Sequence, residues 1–365
     1  MHTHSPLLPP SPIAPGAALP ARRAIRQWLS PLSRRTTAYP LLMLALDLGL
    51  FAACLAAAVL VSATLGKLLA GLCAGVVIAR LFIIGHDACH QSLTPHRRLN
   101  RWLGRIAFLP SLTPYSAWEL GHNVVHHGYT NLKGFDFVWA PLTATEYAAL
   151  GPAHRWLERV WRSGYAPGLY YLVEIWWKRM YFPDASQVPN RRRDFLADNL
   201  GVTAFGLAWA CGLGAAALAA GEPVALVLFA GFVLPLAVWF SLVGFVVYAH
   251  HTHTSIAWHR ERSAWSKAQP FVSTTVHLTF PAGLGGVLHH IMEHTAHHVD
   301  MSIPFHRLRR AQAQLETMLP GRIVIQRFSW RWYAQTARSC KLYDFERACW
   351  TDFAGQPVVH ESGPV

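Results

Sequence analysis

Four apolar stretches, each long enough to cross a bilayer, constrain this 365-residue chain more than anything else in it: Ala38–Ala63, Leu65–Gly85, Leu200–Ala220 and Val224–Tyr248. A hydrocarbon core of ~30 Å takes about 20 helical residues at ~1.5 Å each. The stretches are apolar all round rather than along one stripe, which sets them apart from surface helices of a soluble protein. Composition agrees: 52% of residues are hydrophobic and 14% charged, where an ordinary soluble domain carries about a quarter charged. Backbone polar groups in hydrocarbon must be satisfied within the segment, so each stretch is expected to be a helix. The expected fold class is an all-α integral membrane protein.

The four spans pair into two hairpins, with tight turns at Ser62–Gly66 and Gly221–Pro223. If both hairpins dip in and return, 30 of the 32 Lys and Arg residues fall on one side; only Lys67 and Arg80 do not. That asymmetry assigns the polar regions and both termini to the cytoplasm, in a bacterial inner membrane. The net charge of +13 then reads as a basic face against anionic headgroups, and no nucleic-acid partner is expected. Residues 1–37, rich in Pro and Arg, are expected to be a disordered tail with no cleavable signal peptide; 38–355 form the membrane domain and 356–365 a second tail. The six cysteines show no paired spacing and are expected to be free thiols. Tyr165–Phe182 holds seven aromatic residues beside Lys178 and Arg179, the mark of a segment lying in the headgroup zone.

Histidine supplies the chemistry. Eight of the 21 histidines form three clusters: His86 and His90; His122, His126 and His127; His294, His297 and His298. Residues three or four apart share a helix face, so each cluster aims several imidazoles at one point. An even number of crossings separates the clusters, so all three emerge on one side and can meet. His250, His251 and His253 follow the fourth span and reach the same region, and geometry admits either His250 with His253 or His251 as a contributor. His289 and His290 are candidates for a supporting role; His2, His4, His96, His154, His259, His306 and His360 read as solvated or interfacial.

Eight or nine nitrogens suit two metals with open positions rather than one tetrahedral zinc. Zinc hydrolysis is disfavoured because H-E-x-x-H is absent. A His-rich metal transporter, the remote alternative, needs ionisable residues along the membrane path, and the spans offer only Asp47 and Arg80. Two irons at a membrane surface above apolar helices suggest O2 activation directed at a lipid C–H bond.

The segments GHDACHQS, TPYSAWELGHNVVHHGYTN, YAHHTHTSIAW and IMEHTAHHVD resemble the histidine boxes of membrane fatty acid desaturases, with the acyl-lipid Δ12/ω-6 branch the nearest likeness. The resemblance runs from about residue 40 to 355 and also takes in CKLYDFERACWTDF. It implies four membrane helices under a cytosolic, histidine-rich helical cap holding two Fe, with O2 as co-substrate and a narrow acyl tunnel. The implied ligands are His86, His90, His122, His126, His127, His294, His297 and His298, with His251 as the ninth. The carboxylates Asp87, Glu119, Glu293 and Asp300 are candidates to orient ring N–H groups, and Tyr115 and Trp118 to wall the acyl pocket. The implied activity is O2-dependent desaturation of a lipid-linked or thioester-linked acyl chain, with electrons from an external ferredoxin-type or cytochrome donor. The same scaffold also carries hydroxylases, carotenoid ketolases, acetylenases and terminal-alkene-forming decarboxylases.

Overall fold

The computed structural model describes residues 12–14, 17–184 and 192–358; the rest of the two expected tails lies outside them. Among the described residues, four helices are long and apolar enough to cross a membrane: α2 (Ala38–Leu60), α3 (Thr64–Cys89), α7 (Arg192–Ala219) and α8 (Val224–His251). They pair as two hairpins. Both helices that lead to histidines outrun the expected spans: α3 carries His86 inside its last turn, and α8 runs on through His251. A rigid helix rather than a loop therefore presents these imidazoles.

Between the hairpins, α3 packs on α8 where glycine permits it. A Cβ at Gly75 would stand 2.4 Å from the Val238 Cβ, so only a bare backbone allows that approach. At the end away from the histidines, the buried Lys67 Nζ donates to the Ala58 and Val59 carbonyls and pairs with Glu222 at 3.2 Å. One cation thus closes the end of α2 and ties the two hairpin turns together.

Above the spans sits a cap of shorter helices. In chain order these are α4 (Arg97–Phe108), α5 (Tyr115–Trp118, then Glu119–His126 and His127–Tyr129) and α6 (Pro167–Tyr170, then Tyr171–Tyr181), followed by α9 (His294–Val299) and α10 (Phe305–Met318). The middle of α5 and most of α6 are wound wider than an α-helix, with i→i+5 hydrogen bonding. Two small sheets interrupt the helices: β1 (Val276–Thr279) parallel to β2 (Val324–Arg327), and β3 (Leu342–Asp344) antiparallel to β4 (Cys349–Thr351).

Two expectations need correction. The 1–37 segment is not a tail throughout: α1 (Arg22–Leu29) is a helix whose Ile25 and Leu29 are fully buried in a cluster with Ala296, Val299, Leu308 and Ala311. Its apolar residues recur four apart, enough to dock one face, and the local Arg richness obscured them. The 165–182 segment is more than a headgroup anchor. Trp177 and Phe182 are exposed, but Tyr171, Ile175 and Met180 are buried and face the functional site. All six cysteines are free, as expected.

Candidate metal centre

Nine histidines converge into two groups, each with its ligand atoms within 4.8 Å of one another: His86, His90, His122, His127 and His297 in one, and His126, His251, His294 and His298 in the other. The wide turn of α5 makes this division. In a regular α-helix His122 and His126 would share a face, while His127 would point about 140° from His122 at ~3.6 residues per turn. Here the His127 N–H bonds to the His122 carbonyl five residues back, and the two Nε2 atoms come to 3.1 Å. His126 is thereby released to the second group, where it meets His251 at 3.1 Å. Wide turns of this kind often mark functional sites. In α9 the pattern is regular: His294 and His298, one turn apart, join the second group, and His297 between them joins the first.

In the first group, His86 Nε2 faces His90 at 3.3 Å and His122 at 2.9 Å, and His127 faces His297 at 3.0 Å. In the second, His294 lies 2.9 Å from His251. For metal–nitrogen bonds of ~2.1 Å, ligands at right angles stand about 3.0 Å apart and a tetrahedral pair about 3.4 Å. All six contacts are 3.3 Å or shorter, the spacing of imidazoles able to share an ion.

The outer ring nitrogens explain why the Nε2 lone pairs point inward. His126 Nδ1 lies 3.2 Å from both oxygens of Asp136, and Asp136 is itself held by the Asn131 and Val138 N–H groups. His251 Nδ1 donates to the Thr274 carbonyl at 3.0 Å. Thr130 spends its hydroxyl proton on the His126 carbonyl, so it accepts from His298 Nδ1 at 3.3 Å. His86 Nδ1 meets Asp87 at 3.3 Å, whose other oxygen accepts the Phe305 N–H. Each partner fixes the tautomer that leaves Nε2 free to bind a metal. His298 Nε2 is buried with no hydrogen-bond partner among the described residues, as expected of an atom made for a cation. Burial first, and neighbouring imidazoles second, hold His90, His122, His127, His294, His297 and His298 well below the ordinary imidazole range. They stay neutral, the state that ligates.

His250, in the last turn of α8, and His253, just beyond it, are resolved by position. His250 stacks on His294 with centroids 3.6 Å apart and faces Met292, while His253 lies at Gln326; neither joins a group. His289 pairs with Asp47, and His290 with Glu293, so neither touches a box histidine through those bonds. Of the four carboxylates singled out, Asp87 meets a group histidine. Glu293 is engaged by His290, and Asp300 by Arg26 and Ser302. Asp136, which sequence reasoning missed, fills the role instead. The signal was a carboxylate set between Phe135 and Phe137, ten residues beyond His126.

A cavity of about 40 Å³ opens beside the second group, walled by Trp118, Phe137, Tyr171, Ile175, Met180 and Val247. Trp118 stacks on His122 at 4.7 Å. Tyr115 does not line it: its ring packs under Arg105 and its hydroxyl accepts from Gln91. Gly121, Phe137 and Met180 border both this cavity and a larger one of about 700 Å³ that opens between α5 and α6.

Residues 62–330 match the fatty acid desaturase family. Among curated proteins, the chain is 30% identical over 244 residues to the sn-1 oleoyl-lipid 12-desaturase of Arthrospira platensis, covering 64% of each. It is 28% identical to the sn-1 oleoyl-lipid 12-desaturase of Synechocystis sp., over 74% of each chain. It is 27% identical to that organism's sn-1 acyl-lipid omega-3 desaturase (ferredoxin), over 75% of this chain and 74% of the relative. The chain thus spans just under two thirds of the first of these relatives and about three quarters of the other two.

Proposed function

The chain belongs to the fatty acid desaturase family, and from that premise we propose that it is an O2-dependent oxidoreductase that introduces a double bond into a lipid-linked acyl chain. The observation that carries the reading is the pair of imidazole groups beside an apolar cavity at the top of four membrane helices. The nine histidines would hold two irons, which supply the reduction of O2 and the oxidising power to take one hydrogen from each of two adjacent methylenes. The balance is R–CH2–CH2–R′ + O2 + 2e⁻ + 2H⁺ → R–CH=CH–R′ + 2H2O. Neither flavin, haem nor iron–sulfur motif is present in the sequence, so the two electrons come from a separate one-electron carrier, ferredoxin-like or a cytochrome.

The protein's own side chains bind, aim and exclude. Asp87, Asp136, Thr130 and the Thr274 carbonyl fix ring orientation, so that the ligands do not reorganise as charge changes. Trp118, Tyr171, Ile175 and Val247 offer an apolar wall that holds methylenes and keeps bulk water away. Gly121, Phe137 and Met180 are shared by this wall and the larger cavity, which has room for the acyl chain's attachment to its lipid. The basic cap and both termini lie on the cytoplasmic side of a bacterial inner membrane, where the donor is found; the charge asymmetry supports this orientation.

Expression in a host that lacks polyunsaturated lipids, followed by mass spectrometry of its lipids, tests the reading. A new diene at two mass units below its monoene precursor is the expected product. A hydroxylated or ketonic product would move the chain to another chemistry on the same scaffold, and no lipid change together with metal flux into proteoliposomes would replace the enzyme by a transporter.

A further inference from the structure

The cap surface at α1 is cationic. Segments 17–37 and 301–310 carry Arg22, Arg23, Arg26, Arg34, Arg35, Arg307, Arg309 and Arg310 without one Asp or Glu. Arg307 donates to the Pro31 carbonyl, which joins the two segments. Arg22, Arg23 and Arg26 line a shallow depression of about 550 Å³ together with Gln27, Ser30 and Ser302. The one acid there, Asp300, is buried and already neutralised by Arg26 at 3.0 Å.

This depression is one residue away from the metal cradle. Arg22 Nη2 donates to the His298 carbonyl at 2.6 Å and its Nε to the Val299 carbonyl at 3.1 Å. His298 is a member of the second group. A half-buried guanidinium that lines the depression is therefore hydrogen-bonded to the backbone of a candidate ligand.

We propose that the arginine face of α1 is the docking site of the electron donor, an acidic one-electron carrier protein. This rests on the desaturase reading above. The alternative occupant of a cationic helix is anionic lipid, and α1 lacks the features of a helix that lies on a membrane. Such a helix turns a large apolar face to the bilayer. The apolar face of α1 is spent inside the protein, on Ile25 and Leu29, and no large apolar side chain among residues 17–37 is exposed. By contrast α4, also arginine-rich, exposes Trp102 and Ile106 among its cations, the mixture that suits lipid. Acidic charge on the donor would steer it to α1, and each turnover would take two docking events, one electron each.

The test uses the full chain in zwitterionic proteoliposomes, with an acidic [2Fe–2S] ferredoxin reduced by NADPH and its reductase. Arg23→Glu, at an exposed cation of α1, is compared with Arg97→Glu on α4. The α1 variant should raise the KM for ferredoxin about tenfold, leave the rate at saturating ferredoxin close to normal, and flatten its dependence on salt. Iron content and turnover driven by reduced methyl viologen should not change. An unchanged KM for ferredoxin would overturn the proposal, as would an equal loss with methyl viologen, which would mean a damaged site. In a parallel set of vesicles that contain anionic lipid, activity lost by the α1 variant only there would assign the face to the membrane instead. Should the wild-type chain make no product with either donor, the desaturase reading itself fails, an outcome distinct from all of these.

Discussion

The two histidine groups are built from the same boxes yet differ in what surrounds them. The first has five imidazoles, and His90, His127 and His297 have no hydrogen-bond partner for Nδ1 among the described residues. The second has four; three of them, His126, His251 and His298, have the outer nitrogen pinned by Asp136, Thr274 and Thr130. The cavity discriminates too: His126, His251 and His294 line it from the second group, and only His122 does from the first. The larger group is thus the looser one: its His90 is only half-buried, while all four histidines of the second group are buried. The group with fewer nitrogens is the more firmly oriented and faces the apolar cavity.

The largest effects come from removing a ligand from either side. His297→Ala and His126→Ala should each bring product below about 1% of wild type, since loss of a mere orienting partner already costs about 10–100-fold. Each should also lower iron from two per chain towards one, measured by elemental mass spectrometry, with the surviving ion in the opposite group. His251→Ala should behave like His126→Ala. Full iron and near-normal turnover in His251→Ala would remove it from the second group and break the comparison.

Next in size is the loss of Asp136. Asp136→Ala frees the His126 ring, and activity and iron affinity should drop by about 10–100-fold. Competition with a calibrated chelator measures the affinity. Unaltered affinity would mean that the pinned tautomers contribute nothing.

Closing the cavity tests its one-sidedness. A Cβ at Gly121 meets only the Phe137 ring, at 3.5 Å, whereas a leucine side chain there would project into the space that Gly121 lines. Gly121→Leu should cut turnover of long acyl chains about tenfold or more, because misplacing the reacting carbons by ~1 Å is enough, while iron content stays at two. Normal turnover in this variant would mean that the acyl chain arrives by another route. The smallest effects belong to His250→Ala, which loses a stacking partner of His294 and should fall a few-fold, and His253→Ala, which should fall least.

Much of this was legible in the sequence, for identifiable reasons. The spans announce themselves because hydrocarbon accepts only long apolar helices, and the boxes because ligation needs imidazoles one turn apart. The division of the nine into groups was not legible. Helical periodicity pairs His122 with His126, and only the wide turn of α5, which no local residue pattern signals, pairs it with His127. The ambiguity at His250, His251 and His253 likewise ended only when α8 proved to continue through His251 and bury its ring between His126 and His294. Asp136 escaped notice because a loop places it, and α1 because its two buried residues sit in a run of arginines.

The central claim is that nine histidines form two separate metal sites in one chain. It is tested most directly by the metal content of the purified full-length protein, determined by elemental mass spectrometry after expression in iron-replete medium. About two irons per chain and little zinc are expected. A single ion per chain, or zinc as the only metal bound in an active preparation, would contradict it.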